Sequence, residues 1–131
     1  MTISKAEYIK QWLFRANEDY AVAQSLYETN VDLYASSIAF HCQQSVEKFL
    51  KSFLVYHSVH FPRTHDLDFL LMECEKINKE VWSQIELKNL SEYGVSVRYP
   101  DDFYIPDKEE IVELLEIAKV VKEKLEDLIE N

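Results

Sequence analysis

The chain of 131 residues holds one glycine, three prolines and two cysteines. A single glycine leaves almost no tight hairpin turns, which excludes an all-β sandwich or barrel with a turn about every 8 to 12 residues. It also excludes the glycine-rich phosphate loops of Walker and Rossmann type. No apolar run approaches the roughly 18 residues of a membrane span, and the opening MTISKAEYIKQW lacks the apolar stretch of a signal peptide. The expectation is a cytoplasmic protein with no membrane contact. Cys42 and Cys74 form no CxxC pair and stand at helical spacing in apolar surroundings, which reads as two reduced core thiols. Positive charge is scarce too. The 14 Lys and Arg against 24 Asp and Glu give a net charge of −10, a poor match to a phosphate backbone. Paired-cysteine zinc spacing, a Ser-His-Asp order and carboxylate clusters for a metal-dependent hydrolase are missing.

What remains is helical. With 47% hydrophobic residues, a chain of this length buries about two thirds of its unfolded surface around one core, and residues 1–131 read as a single domain. Ser4-x-x-Glu7 fits a capping box with Ile3 and Tyr8 as a hydrophobic staple. The first helix then buries Ile9, Trp12, Leu13, Ala16, Tyr20, Ala23 and Leu26 or Tyr27, and ends near Thr29 and Asn30. Asp32 caps a second helix whose inward face is Ala35, Ala39, Cys42, Val46, Phe49, Leu50, Phe53 and Tyr56. Pro62 makes His60–Thr64 a loop. Thr64 or Asp66 caps a third helix, and a further short helix around Trp82, Ile85, Leu90 and Tyr93 ends at Gly94. Asp107-x-x-Glu110 opens a last helix with Ile111, Leu114, Leu115, Ala118, Val121, Leu125 and Leu128 on one face. The predicted fold is all-α: an antiparallel up-down four-helix bundle with an additional short helix.

Charge is not evenly spread. From His41 to His65 the chain carries Lys48, Lys51 and Arg63 against Glu47, a net of +2, and all four histidines fall in the same stretch. The positions Gln44, Glu47, Lys48 and Lys51 recur at steps of three and four, which by itself describes a solvated helix strip with an ordinary Glu47–Lys51 pair. His57, His60 and His65 lie close in sequence, but no carboxylate or thiol sits at ligand spacing among them, so no metal site and no cofactor is expected. His65 and Asp66 read as the residues that order the loop into the third helix.

Three strings in this chain go together: Gln43-x-x-x-Glu47-Lys48-x-Leu50-Lys51, then His65-Asp66-Leu67, then Arg98-Tyr99-Pro100. In order and spacing they resemble the HEPN family of small helical domains over nearly the whole chain. The resemblance implies a homodimer that works beside a minimal nucleotidyltransferase and binds RNA or a nucleotide. Many such domains are RNA-cleaving toxins neutralised by that partner, so a metal-independent endoribonuclease toxin is among the functions the resemblance implies for this chain. In cleaving members an Arg is followed, after four to six residues, by a His. Here the Arg is Arg98, and Phe103, Tyr104 and Ile105 occupy the His positions, so the strict ribonuclease motif is absent. Arg98 with Tyr104 fits the variant R-x-x-x-x-x-Y.

Arg98 stabilises a charged phosphorane but cannot act as a base, and a phenol with a reference pKa near 10 is a poor base at neutral pH. Tyr104 therefore reads as a phosphate-positioning group, a nucleotide acceptor or a half-buried loop aromatic, and Arg98 as an anion ligand or the partner of Asp101, Asp102 or a helix carboxylate. The candidate catalytic pair is Arg98 and Tyr104. The candidate anion-binding set is Arg98, Tyr99, Lys51, Arg63 and His65. The alternative function is a non-catalytic scaffold whose basic stretch recruits a protein. Apolar side chains at Tyr93, Val95, Val97, Tyr99, Phe103 and Ile105, in a segment of weak helix signal, favour a symmetric dimer.

Overall fold

The computed structural model describes residues 2–94 and 104–129. Helix α1 spans Lys5–Tyr56, and the Ser4 hydroxyl accepts from the Glu7 amide at 3.1 Å, as the capping box requires. Ile3 and Tyr8 stay exposed, and Tyr8 meets the Trp12 ring edge-on, with centroids 6.0 Å apart. The helix breaks at Asn30, whose backbone is extended at φ −169° and ψ 93°. The Asn30 Oδ1 accepts from the Leu33 amide at 3.0 Å, so Asn30 both ends the first arm and caps the second. The expected cap at Asp32 lies two residues too late, because an asparagine in extended backbone already satisfies the orphan amide.

The two arms of α1 run antiparallel. Lys5 meets Ser58, Trp12 meets Lys51 and Asp19 meets His41 and Lys48, so one number falls as the other rises. Helix α4, Lys108–Ile129, lies antiparallel along the first arm: Ile9 and Leu13 share a cleft with Ile129, and Tyr20 and Tyr27 share one with Leu115 and Val112. Its capping box forms in both directions, Glu110 amide to Asp107 Oδ1 at 2.9 Å and Asp107 amide to Glu110 Oε1 at 3.3 Å.

Helix α2, Leu67–Ile77, is capped by Asp66, which accepts from the Phe69 amide at 3.1 Å. The connection 57–66 doubles back along the second arm, so α2 begins beside Gln43 and Glu47. The expected helix before Gly94 is two pieces, α3 at Lys79–Trp82 and a 3-10 turn at Leu90–Tyr93. Its buried residues Trp82, Ile85, Leu87, Leu90 and Tyr93 step by two and three, a spacing for tight turns rather than one α-helical stripe. No strand occurs among the described residues.

The second arm of α1 is the centre of the bundle. Ile38, Ala39, Cys42, Val46, Phe49, Leu50, Phe53 and Leu54 are all buried, against Ile111, Leu114, Ala118, Val121 and Leu125 of α4 and Leu67, Leu70 and Cys74 of α2. Each large apolar side chain withdrawn from water contributes about 1.5–3 kcal/mol. Alanines at 16, 23, 35 and 39 are buried where the arms approach. Burial pushes the Cys42 thiol up to about 12 and raises that of Cys74 as well, so both are inert protonated thiols in the core.

Candidate functional site

A polar seam runs along the buried second arm. Gln43, Glu47 and Lys51 stand at successive four-residue steps, and all three are buried. Lys51 Nζ donates to Glu47 Oε2 at 3.1 Å, His65 Nδ1 lies 2.8 Å from Glu47 Oε1, and Gln43 Nε2 donates to the His65 carbonyl at 3.1 Å. Gln44 Nε2 donates to Gln43 Oε1 at 2.8 Å. This overturns the solvated-strip reading of these positions: the Glu47 and Lys51 side chains are only 4% and 8% exposed. A buried charge must be paired and hydrogen-bonded, and here a carboxylate holds a lysine on one side and a loop imidazole on the other. Gly94 closes the seam. A Cβ at this position would stand 2.9 Å from the Gln43 amide, so any side chain there would have to displace that buried amide for the 3-10 turn to reach the seam. The backbone of Gly94 is at φ −75°, so close approach, not a left-handed cap, requires the residue.

A second cluster adjoins the first, since Lys48 Nζ donates to Gln44 Oε1 at 3.4 Å. Asp19 of the first arm accepts from Lys48 Nζ and faces His41 Nδ1 at 2.8 Å. Burial works to raise the Asp19 carboxyl, but hydrogen bonds from His41 and Lys48 outweigh it and hold the group below the usual carboxylate range. These two clusters tie the arms to each other and to the connection 57–66, and they occupy the residues of the Gln43–Lys51 string.

Beside the seam an open groove of about 990 Å³ separates the start of α1 from the connection 57–66. Lys51 reaches it from the seam, its ammonium 5.7 Å from the ring centroids of both Trp12 and Phe61. Lys5, His60 and Arg63 add three more basic side chains, and Tyr8 a third ring. None of the described residues lining it is Asp or Glu. Of the expected anion-binding set, the groove brings Lys51 and Arg63 together, whereas His65 is engaged by Glu47 and is absent from the lining. The rings and Lys5 escaped the sequence reading. The antiparallel register of the two arms, which sets Trp12 against Lys51, is the signal that brings them in.

Arg98 and Tyr99 lie outside the described residues. Tyr104 is half exposed, and its hydroxyl donates to Glu110, the capping-box carboxylate of α4. That hydrogen bond first, then desolvation and the charges of Glu110, Tyr93 and Asp107, push the phenol up to about 12. Tyr104 is thus a protonated donor at neutral pH. The histidines do not converge: His57 packs edge-on against Phe53 and Tyr56, His60 lines the groove, and His65 faces Glu47. Among the described residues no three His, Cys, Asp or Glu side chains are placed to hold a metal.

The described residues thus form an all-helical bundle built on a long kinked hairpin, with a Gln-Glu-Lys seam clasping the His-Asp-Leu loop. The HEPN domain model matches residues 9–128, and the chain belongs to the HEPN family. The chain is also 30% identical, over 141 aligned positions, to a protein of Methanocaldococcus jannaschii named "Putative toxin MJ1304", covering 95% of this chain and 90% of that one. No solved structure gives a significant match. No helix among the described residues is long and apolar enough to cross a membrane.

Proposed function

We propose that residues 1–131 form one HEPN domain acting as the RNA- or nucleotide-binding member of a toxin–antitoxin-like pair, as a cytoplasmic homodimer with a minimal nucleotidyltransferase as partner. The observation that carries this reading is near full-length similarity to a protein named as a toxin, within a family match of the same extent. Arg98 is the main anion ligand, with Tyr99 beside it, and Lys51 and Arg63 contribute positive potential from the groove. His65 serves by fixing Glu47 and the loop.

Tyr104 is not a general base. A phenol held near 12 by a carboxylate gives up its proton poorly at neutral pH. Its hydrogen bond to Glu110 supports the role of nucleotide acceptor, with plain phosphate positioning as the alternative. Transfer from ATP joins the Tyr104 oxygen to the α-phosphorus, releases pyrophosphate and passes the phenol proton to Glu110. The absent strict Arg/His motif favours a second reading, a non-catalytic scaffold, in which the chain is harmless when expressed alone.

The test is induced expression of the chain alone and together with a nucleotidyltransferase encoded beside it. Growth arrest by the chain alone, relieved by the partner, is the expected result. Normal growth in both cultures contradicts the toxin reading and favours the scaffold.

A further inference from the structure

We propose that the groove between the start of α1 and the connection 57–66 binds a nucleoside phosphate, with the base against Tyr8 and the phosphate on Lys5 and Arg63. The choice of a nucleoside among aromatic anions rests on the function proposed above. The location rests on the groove itself.

Three observations point there. On a chain of net charge −10, this groove gathers Lys5, Lys51, His60 and Arg63 and no carboxylate among its described lining residues. A local field of that sign concentrates anions. The charge is also usable. Glu47 offsets the buried Lys51, but Lys5 and Arg63 are exposed and make no ion pair with a described residue. Lys5 is positioned by a hydrogen bond to Ser58 Oγ at 2.7 Å.

The third observation is the aromatic floor. Trp12 stands between Tyr8 and Phe61 in edge-on contacts of 6.0 and 6.3 Å, and Lys51 braces Trp12 and Phe61. Tyr8 is 43% exposed, so a ring held in place by its neighbour still offers surface to a flat ligand. Basic side chains around exposed aromatics are the recognition chemistry of single nucleotides and single strands, where stacking adds to phosphate contacts. A bare phosphate would have no use for the rings.

The test is titration calorimetry of the full chain with AMP, ATP, inorganic triphosphate and a short single-stranded RNA. ATP is expected to bind more tightly than inorganic triphosphate, and Tyr8→Ala to weaken ATP about tenfold while leaving triphosphate unchanged. Reversing charge in the double variant Lys5→Glu, Arg63→Glu should weaken every ligand at least tenfold. Binding by AMP or ATP that Tyr8→Ala and the charge reversal both weaken assigns the groove to free nucleotide, and binding by RNA alone, weakened in the same way, assigns it to a nucleotide within a strand. Measurable and equal affinity for ATP and triphosphate, indifference of the bound ligand to Tyr8→Ala or to charge reversal in a folded variant, or no binding of any of the four ligands overturns the proposal. The two readings fail separately. Growth arrest that persists in Arg98→Ala removes the proposed function and leaves the groove, whereas nucleotide affinity that persists after charge reversal removes the groove and leaves the proposed function.

Discussion

Asp19 shows how much of this protein's polar chemistry is structural. It came from the apolar-spaced first arm with nothing in the local pattern to mark it, since its partners His41 and Lys48 are more than twenty residues away. Against burial, His41 and Lys48 hold its carboxyl below the usual carboxylate range. A depressed carboxyl stabilises the folded state above its unfolded pKa, and that contribution is lost as pH falls through the folded value. Asp19→Asn should therefore destabilise the protein by about 1–2 kcal/mol at pH 7, and the gap to wild type should close in strong acid. Urea unfolding at pH 7 and in strong acid checks this, and an equal gap at both would contradict it. Glu47 and Lys51 teach the same lesson from the other direction. Their spacing was legible, but a four-residue step describes a surface pair and a buried one equally well, and only the packing of α2 and the 3-10 turn over them decides.

At the scale of elements, the sequence reading succeeded where caps and stripes coincide. Asp107 with Glu110 and the Ile111–Leu125 stripe placed α4, and of the two caps offered for α2, Thr64 and Asp66, it is Asp66 that caps it. The break falls at Asn30 rather than at a cap on Asp32, and between Asn78 and Gly94 short turns carry no helical period. Gly94 was legible as a chain terminator but not as a contact. Gly94→Ala sets a methyl 2.9 Å from the Gln43 amide, which is fully buried and tied to His65, Glu47 and Gln44. Overpacking of this kind costs about 1–3 kcal/mol. Thermal unfolding of Gly94→Ala should show that loss, and an unchanged Tm would mean that the amide swings aside and the seam is looser than described.

At the scale of the molecule, the three motif strings divide by role. The Gln43–Lys51 string and the His65-Asp66-Leu67 string build the seam and clasp the loop, so these residue types at this spacing have a folding reason. The third string, Arg98-Tyr99-Pro100, lies outside the described residues and is the part the proposed function depends on. A buried Arg in an ion-pair network costs about 3 kcal/mol or more when truncated, whereas an Arg kept for an external anion leaves the fold unaffected. Expression of Arg98→Ala in a host that the wild-type chain arrests, with the Tm of both purified proteins, therefore tests the central claim most directly. The account predicts normal growth and an unchanged Tm; growth arrest that persists, or a Tm lowered by several degrees, would contradict it.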